Sequence, residues 1–151
     1  MPLRLGTPLP SLIGATTWLN DDGFNPDELA GAVLVHFWAI SCHICHETMP
    51  RLLQYRERYE PEGLQFVSVH QPRQEADTDL AAVEDTMIRW DITQPTAIDN
   101  QHEVARAFQN EFVPAFYLFD ARGKLCFRAA GDRGFENLEP KIRQLLGVTG
   151  G

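Results

Sequence analysis

The feature that most constrains this chain is a Cys-x-x-Cys pair, Cys42 and Cys45, set between an apolar run and a helical repeat. Residues 32–39 read AVLVHFWA, a short segment rich in β-branched and aromatic side chains, which predicts a buried strand. Beyond Cys42, residues Met49, Leu52, Leu53 and Tyr59 recur at helical spacing until Pro61 and Gly63. The spacing predicts a helix from about the cysteines to Tyr59, with Pro50 either kinking it or starting its second half. A strand that delivers a cysteine to a helix start has a chemical consequence. Unpaired backbone N–H groups and the positive end of the helix dipole stabilise a thiolate there. Cys42 is therefore the expected exposed nucleophile, and Cys45, one turn further in, the thiol that resolves a mixed disulfide formed on Cys42.

The rest of the chain supplies a sheet and helices around this unit. Leu64 to His70 alternates as a strand, Ala76 to Trp90 has helical periodicity, and short elements follow at Thr96 to Ile98 (strand) and Val104 to Phe108 (helix). Ala115 to Phe119 and Leu125 to Ala129 read as strands joined by the tight turn Asp120-Ala121-Arg122-Gly123, and a terminal helix from about Leu138 to Leu146 stops at Gly147. The first thirty residues, broken by Gly6, Pro8, Pro10, Gly14, Gly23 and Pro26, suggest turns and a small hairpin, with Asn25 capping a short helical start. The order β-α-β-α-β-α-β-β-α implies an α/β fold with a mixed central sheet and helices on both faces. At 151 residues the chain suits a single domain, 1–151, with 1–31 as its amino-terminal extension.

Charge and cysteine count exclude several classes. Thirteen Lys and Arg against twenty-one Asp and Glu give a net charge of -8, which disfavours phosphate backbones and anionic lipid, so no nucleic acid is expected as a partner. No segment approaches the ~20 apolar residues of a membrane helix, and the amino terminus lacks a signal-peptide run, so no membrane insertion is expected. As it stands the chain reads as cytoplasmic; a trimmed sequence would make it periplasmic or extracytoplasmic. Three cysteines cannot build a multi-bridge framework, and the lone Cys126 is expected to be a buried small hydrophobe.

Alternatives to dithiol chemistry remain at this level. A structural zinc usually needs a second ligand pair, yet His43 and His46 interleave with the cysteines, which keeps open a module that holds copper or zinc through Cys42, Cys45 and a histidine. A peroxiredoxin is opposed by the adjacent second cysteine and the lack of a Thr-x-x-Cys pattern, and a vestigial interaction module by retention of both cysteines.

The run VHFWAISCHICHETMP resembles the active-site segment of thioredoxin-like proteins, most closely the TlpA/ResA branch and the carboxyl-terminal domains of DipZ-type proteins. The resemblance extends over nearly the whole chain: GTPLPSL, Phe37-Trp38-Ala39, the two cysteines, Pro50, the strand ending in His70 before Gln71-Pro72, and Val113-Pro114. It implies a thioredoxin fold and a thiol:disulfide oxidoreductase of the kind that serves redox homeostasis on either side of the bacterial membrane. It also implies no cofactor, no metal in the site, and partners that are protein thiols or disulfides together with an unidentified reductant or oxidant protein. Pro114 would be the cis-proline facing the dithiol, leaving the Val113 backbone to pair with substrate. Trp38 joins these as a substrate-side candidate, although its place suits packing under the site.

Three departures qualify the likeness. His36 stands where thioredoxins often bury an acid, Ser41 replaces a Trp before the first cysteine, and Thr48 replaces an acid, with Glu47 turned ~100° away on the helix. His36 and His43 are thus the candidates for redox tuning. A cation at His43 would favour the Cys42 thiolate and make the couple more oxidising.

Overall fold

The computed structural model describes residues 3–147. Six strands form one mixed sheet: β1 (Thr17–Leu19), β2 (Val33–Trp38), β3 (Gln65–His70), β4 (Thr96–Ile98), β5 (Ala115–Phe119) and β6 (Leu125–Ala130), in the order β1-β4-β3-β2-β5-β6. β3 is parallel to β2 and β4, while β5 runs antiparallel to β2 and β6. β2 is central and every residue in it is buried, which explains why its sequence is an apolar run rather than an alternation.

The two faces of β2 divide the core. Leu34 and Trp38 face the cluster built with α1 (His43–Tyr59) and α2 (Leu80–Arg89), which includes Cys42, Cys45, Met49, Leu52, Val83 and Met87. Val33, Val35 and Phe37 face the other cluster, with Val104, Ala105 and Phe108 of α3 (Glu103–Phe108). Because side chains alternate along a strand, His36 shares the α1 face with Leu34 and Trp38. Pro50 lies inside α1 without ending it.

Four sequence expectations change. The amino-terminal segment forms no hairpin among the described residues: β1 takes the sheet edge by pairing antiparallel with β4, and Pro8 bridges to Lys124 beside β6. The helix expected over 76–90 is broken, because the Asp79 carboxylate accepts hydrogen bonds from the N–H groups of Ala81 and Ala82 and so starts α2 afresh after a 3-10 turn, Glu75–Thr78. An additional helix, α4 (Gly131–Glu136), precedes α5 (Leu138–Leu146). Its two glycines hide it from propensity: Gly131 takes φ 75° at its start, and a Cβ on Gly134 would lie 2.8 Å from Ala129 Cβ. Finally, Cys126 is exposed rather than buried, since β6 is an edge strand with one face open to solvent.

Among the described residues, no helix is long and apolar enough to cross a membrane.

Candidate active site

β2 ends at Trp38, and a four-residue connection delivers Cys42 to the N-cap of α1. Cys42 has extended backbone (φ -93°, ψ 109°), and its Sγ accepts the Cys45 N–H at 3.1 Å, satisfying one of the orphan donors of the helix start. Cys42 and Cys45 are joined by a disulfide, with their Cα atoms 5.2 Å apart.

Access differs between the two sulfurs. Cys45 is fully buried, while Cys42, at 3% exposure, borders an open groove of about 440 Å³. The exposed nucleophile read from sequence is thus largely covered in the disulfide form, because the connection before it packs down against β3. Ser41, His43, Ile44, Gln71, Arg73, Glu111, Phe112 and Val113 complete the groove wall. The exposed Phe112 gives it an apolar rim.

The Val113–Pro114 peptide is cis, and Val113 shares the groove with Cys42. Among the described residues neither the N–H nor the C=O of Val113 has a hydrogen-bond partner, whereas the next carbonyl, of Pro114, accepts from Gly131 N–H. Trp38 is not at the surface. It is fully buried beneath the connection, its Nε1–H donating to Ser68 Oγ at 3.2 Å and its ring lying 4.9 Å from that of His70, so a substrate-contacting role is corrected to one of support.

The two tuning candidates behave differently. His36 is buried and stacked on Phe116 at 5.0 Å, and neither ring nitrogen has a partner. Burial pushes its pKa down to about 3, so the ring is neutral near pH 7 and supplies no positive charge to the dithiol. His43 has an 81% exposed side chain paired with Glu47 at 2.8 Å, so any charge on the imidazole is opposed by that carboxylate and by solvent. Thr48 is buried and its hydroxyl donates to the Ile44 carbonyl, leaving no acid at that position.

Two residues unmarked in the sequence reading also reach the site. His70, at the end of β3, accepts the Ile40 N–H on Nε2 at 3.1 Å; Asp77, in the 3-10 turn, accepts the Ser41 hydroxyl at 2.6 Å. Both hold the connection just before Cys42. The segment QEADTD offered several acids, and nothing in their spacing separates buried Asp77 from exposed Glu75.

The metal-binding alternative finds no support, for among the described residues no group of three His, Cys, Asp or Glu is placed to hold an ion.

The chain matches the AhpC/TSA family over residues 13–128. It is 40% identical over 149 residues to thiol-disulfide oxidoreductase YkuV of Bacillus subtilis, spanning 97% of this chain and 99% of that protein. Protein DipZ of Mycobacterium tuberculosis is 32% identical over 141 residues, a match that takes in 91% of this chain and 20% of DipZ. A solution structure of a thioredoxin-like protein in the oxidized form superposes with a TM-score of 0.87 at 39% identity, covering 98% of this chain and all of the other.

Proposed function

The chain belongs to the AhpC/TSA family and has a thioredoxin fold, and from that premise we propose that Cys42 and Cys45 exchange disulfides with protein partners. It is a thioredoxin-like disulfide oxidoreductase. The observation that carries the reading is the asymmetry of the pair: a disulfide at a helix N-cap with Cys42 bordering an open groove and Cys45 sealed behind it.

In the reducing direction the Cys42 thiolate attacks one sulfur of a partner disulfide. A mixed disulfide forms and one partner thiolate leaves. Cys45 then gives up its proton and attacks Cys42 Sγ, closing the intramolecular disulfide and expelling the second partner thiolate; two electrons pass from this chain to the partner. The oxidising direction is the reverse. The helix N-terminus lowers the cost of the Cys42 thiolate in both.

The substrate strand docks in the groove, where the unpaired N–H and C=O of Val113 offer ladder hydrogen bonds and Phe112 an apolar contact. Pro114 supports this edge and Trp38 supports the connection from below. The partners are protein thiols or disulfides, with the reductant or oxidant another protein. All 1–151 residues act as a single domain.

Replacing Cys45 with Ser tests the assignment. The variant should accumulate mixed disulfides on Cys42 with a disulfide-bearing protein, because the resolving step is gone. Trapping by Cys42→Ser and not by Cys45→Ser would reverse the roles.

A further inference from the structure

One buried charge beside the nucleophile takes no part in the exchange just described. Asp77 is 1% exposed, and its Oδ2 accepts both the Ser41 hydroxyl at 2.6 Å and the Arg73 N–H at 3.0 Å. Accepting at every contact is the pattern of an ionised carboxylate. Ser41 immediately precedes Cys42, so the carboxylate holds the residue next to the reacting cysteine.

Among the described residues Asp77 forms no ion pair with Lys or Arg. His70, which faces it from the end of β3, accepts the Ile40 N–H on Nε2, so the neutral ring carries its proton on Nδ1. Burial holds the pKa of His70 down at about 4 despite the attraction of Asp77, so this ring is neutral near pH 7.

We propose that Asp77 is a positioning residue for Cys42: through Ser41 it fixes the residue before the nucleophile, and its buried negative charge opposes the Cys42 thiolate. The helix N-terminus favours that thiolate and Asp77 restrains it, so the couple is more reducing than the helix alone would make it. The inference rests on the disulfide-exchange reading above. It also accounts for a hydroxyl at position 41, since a side chain without a donor would leave the buried carboxylate one hydrogen bond short.

Asp77→Asn separates charge from shape, because the amide oxygen still accepts from Ser41. The wild type and the variant are equilibrated with glutathione at pH 7. Two glutathione thiols reduce the Cys42–Cys45 disulfide to two thiols and become glutathione disulfide, so the electrons balance. Thiols are counted by alkylation and mass. In the reduced proteins, the rate of Cys42 alkylation is followed against pH. His43, Arg73 and Glu111, the other charged groups along the groove, are common to both proteins.

Asp77→Asn should shift the equilibrium toward the dithiol about three- to tenfold, roughly 14–30 mV, and lower the alkylation midpoint. A purely structural role would move neither while the Ser41 contact persists. A wild type that equilibrates and a variant that matches it overturn this inference alone; a wild type that never equilibrates overturns the functional reading and this inference with it. Should the variant not fold, the Asp77 carboxyl carbon resonance of the reduced wild type decides: an inflection at the Cys42 midpoint supports the coupling, and a flat response overturns it.

Discussion

Replacing His36 with Leu isolates the pH dependence written into the core by a buried, unpartnered imidazole. The ring is stacked on Phe116 under α1, with no hydrogen bond to either nitrogen. Its folded pKa is lowered from 6.5 to about 3. Between these values the unfolded chain binds a proton that the folded chain refuses, so folding stability falls as pH drops below 6.5 and the loss is complete near pH 3. At pH 7.5 the penalty is close to zero. At pH 5.0, one and a half units below the unfolded value, it is about 2 kcal/mol, at about 1.4 kcal/mol per unit. For a chain of this length that corresponds to roughly 4–8 °C in Tm.

Leu removes the titration and the two unsatisfied nitrogens at similar volume, so the variant should match or exceed the wild type at pH 7.5. The assay is urea unfolding of both oxidised proteins at the two pH values. His70, also held low by burial, contributes its own slope to each protein and cancels in the comparison. The variant should gain about 2 kcal/mol on the wild type between pH 7.5 and 5.0. A wild-type-minus-variant difference that does not change with pH, or that changes in the other direction, would refute the reasoning.

Two further perturbations follow from the geometry. Asp79→Ala removes the cap of α2, whose carboxylate holds two N–H groups, and should cost about 1 kcal/mol by urea unfolding with the glutathione equilibrium unchanged. His43→Ala removes a cation candidate at the start of α1 and should lower the reduction potential measured against glutathione, by less than about 30 mV because Glu47 and solvent already oppose that charge; an unchanged or higher potential would exclude His43 as a tuner in this direction.

What the sequence made readable was local and periodic. AVLVHFWA announces a central strand because both of its faces are buried, and the cysteines declare a helix start because Met49, Leu52 and Leu53 follow at helical spacing. The strand pair joined at Asp120–Gly123 is equally legible, since Asp120 must turn the chain: its carboxylate accepts from the N–H groups of Arg122 and Lys124. What stayed hidden depends on tertiary placement. Asp77 and His70 stand thirty-six and thirty residues from Ser41 and Ile40 in sequence, and they meet them only because β3 runs beside β2. Cys126 was misread because an edge strand and an inner strand share the same alternation. Gly131 and Gly134 masked α4, for Gly131 is set by its positive φ and Gly134 by close packing against Ala129 of β6, and neither by helix propensity.

The central claim, that Cys42 and Cys45 form the working disulfide, is tested most directly by intact-mass counting of alkylated thiols before and after mild oxidation. The chain has three cysteines. The account predicts three alkylations of the reduced protein and one of the oxidised protein, at Cys126, with full recovery of the other two on reduction. Three alkylations persisting after oxidation, or a disulfide that consumes Cys126, would contradict it.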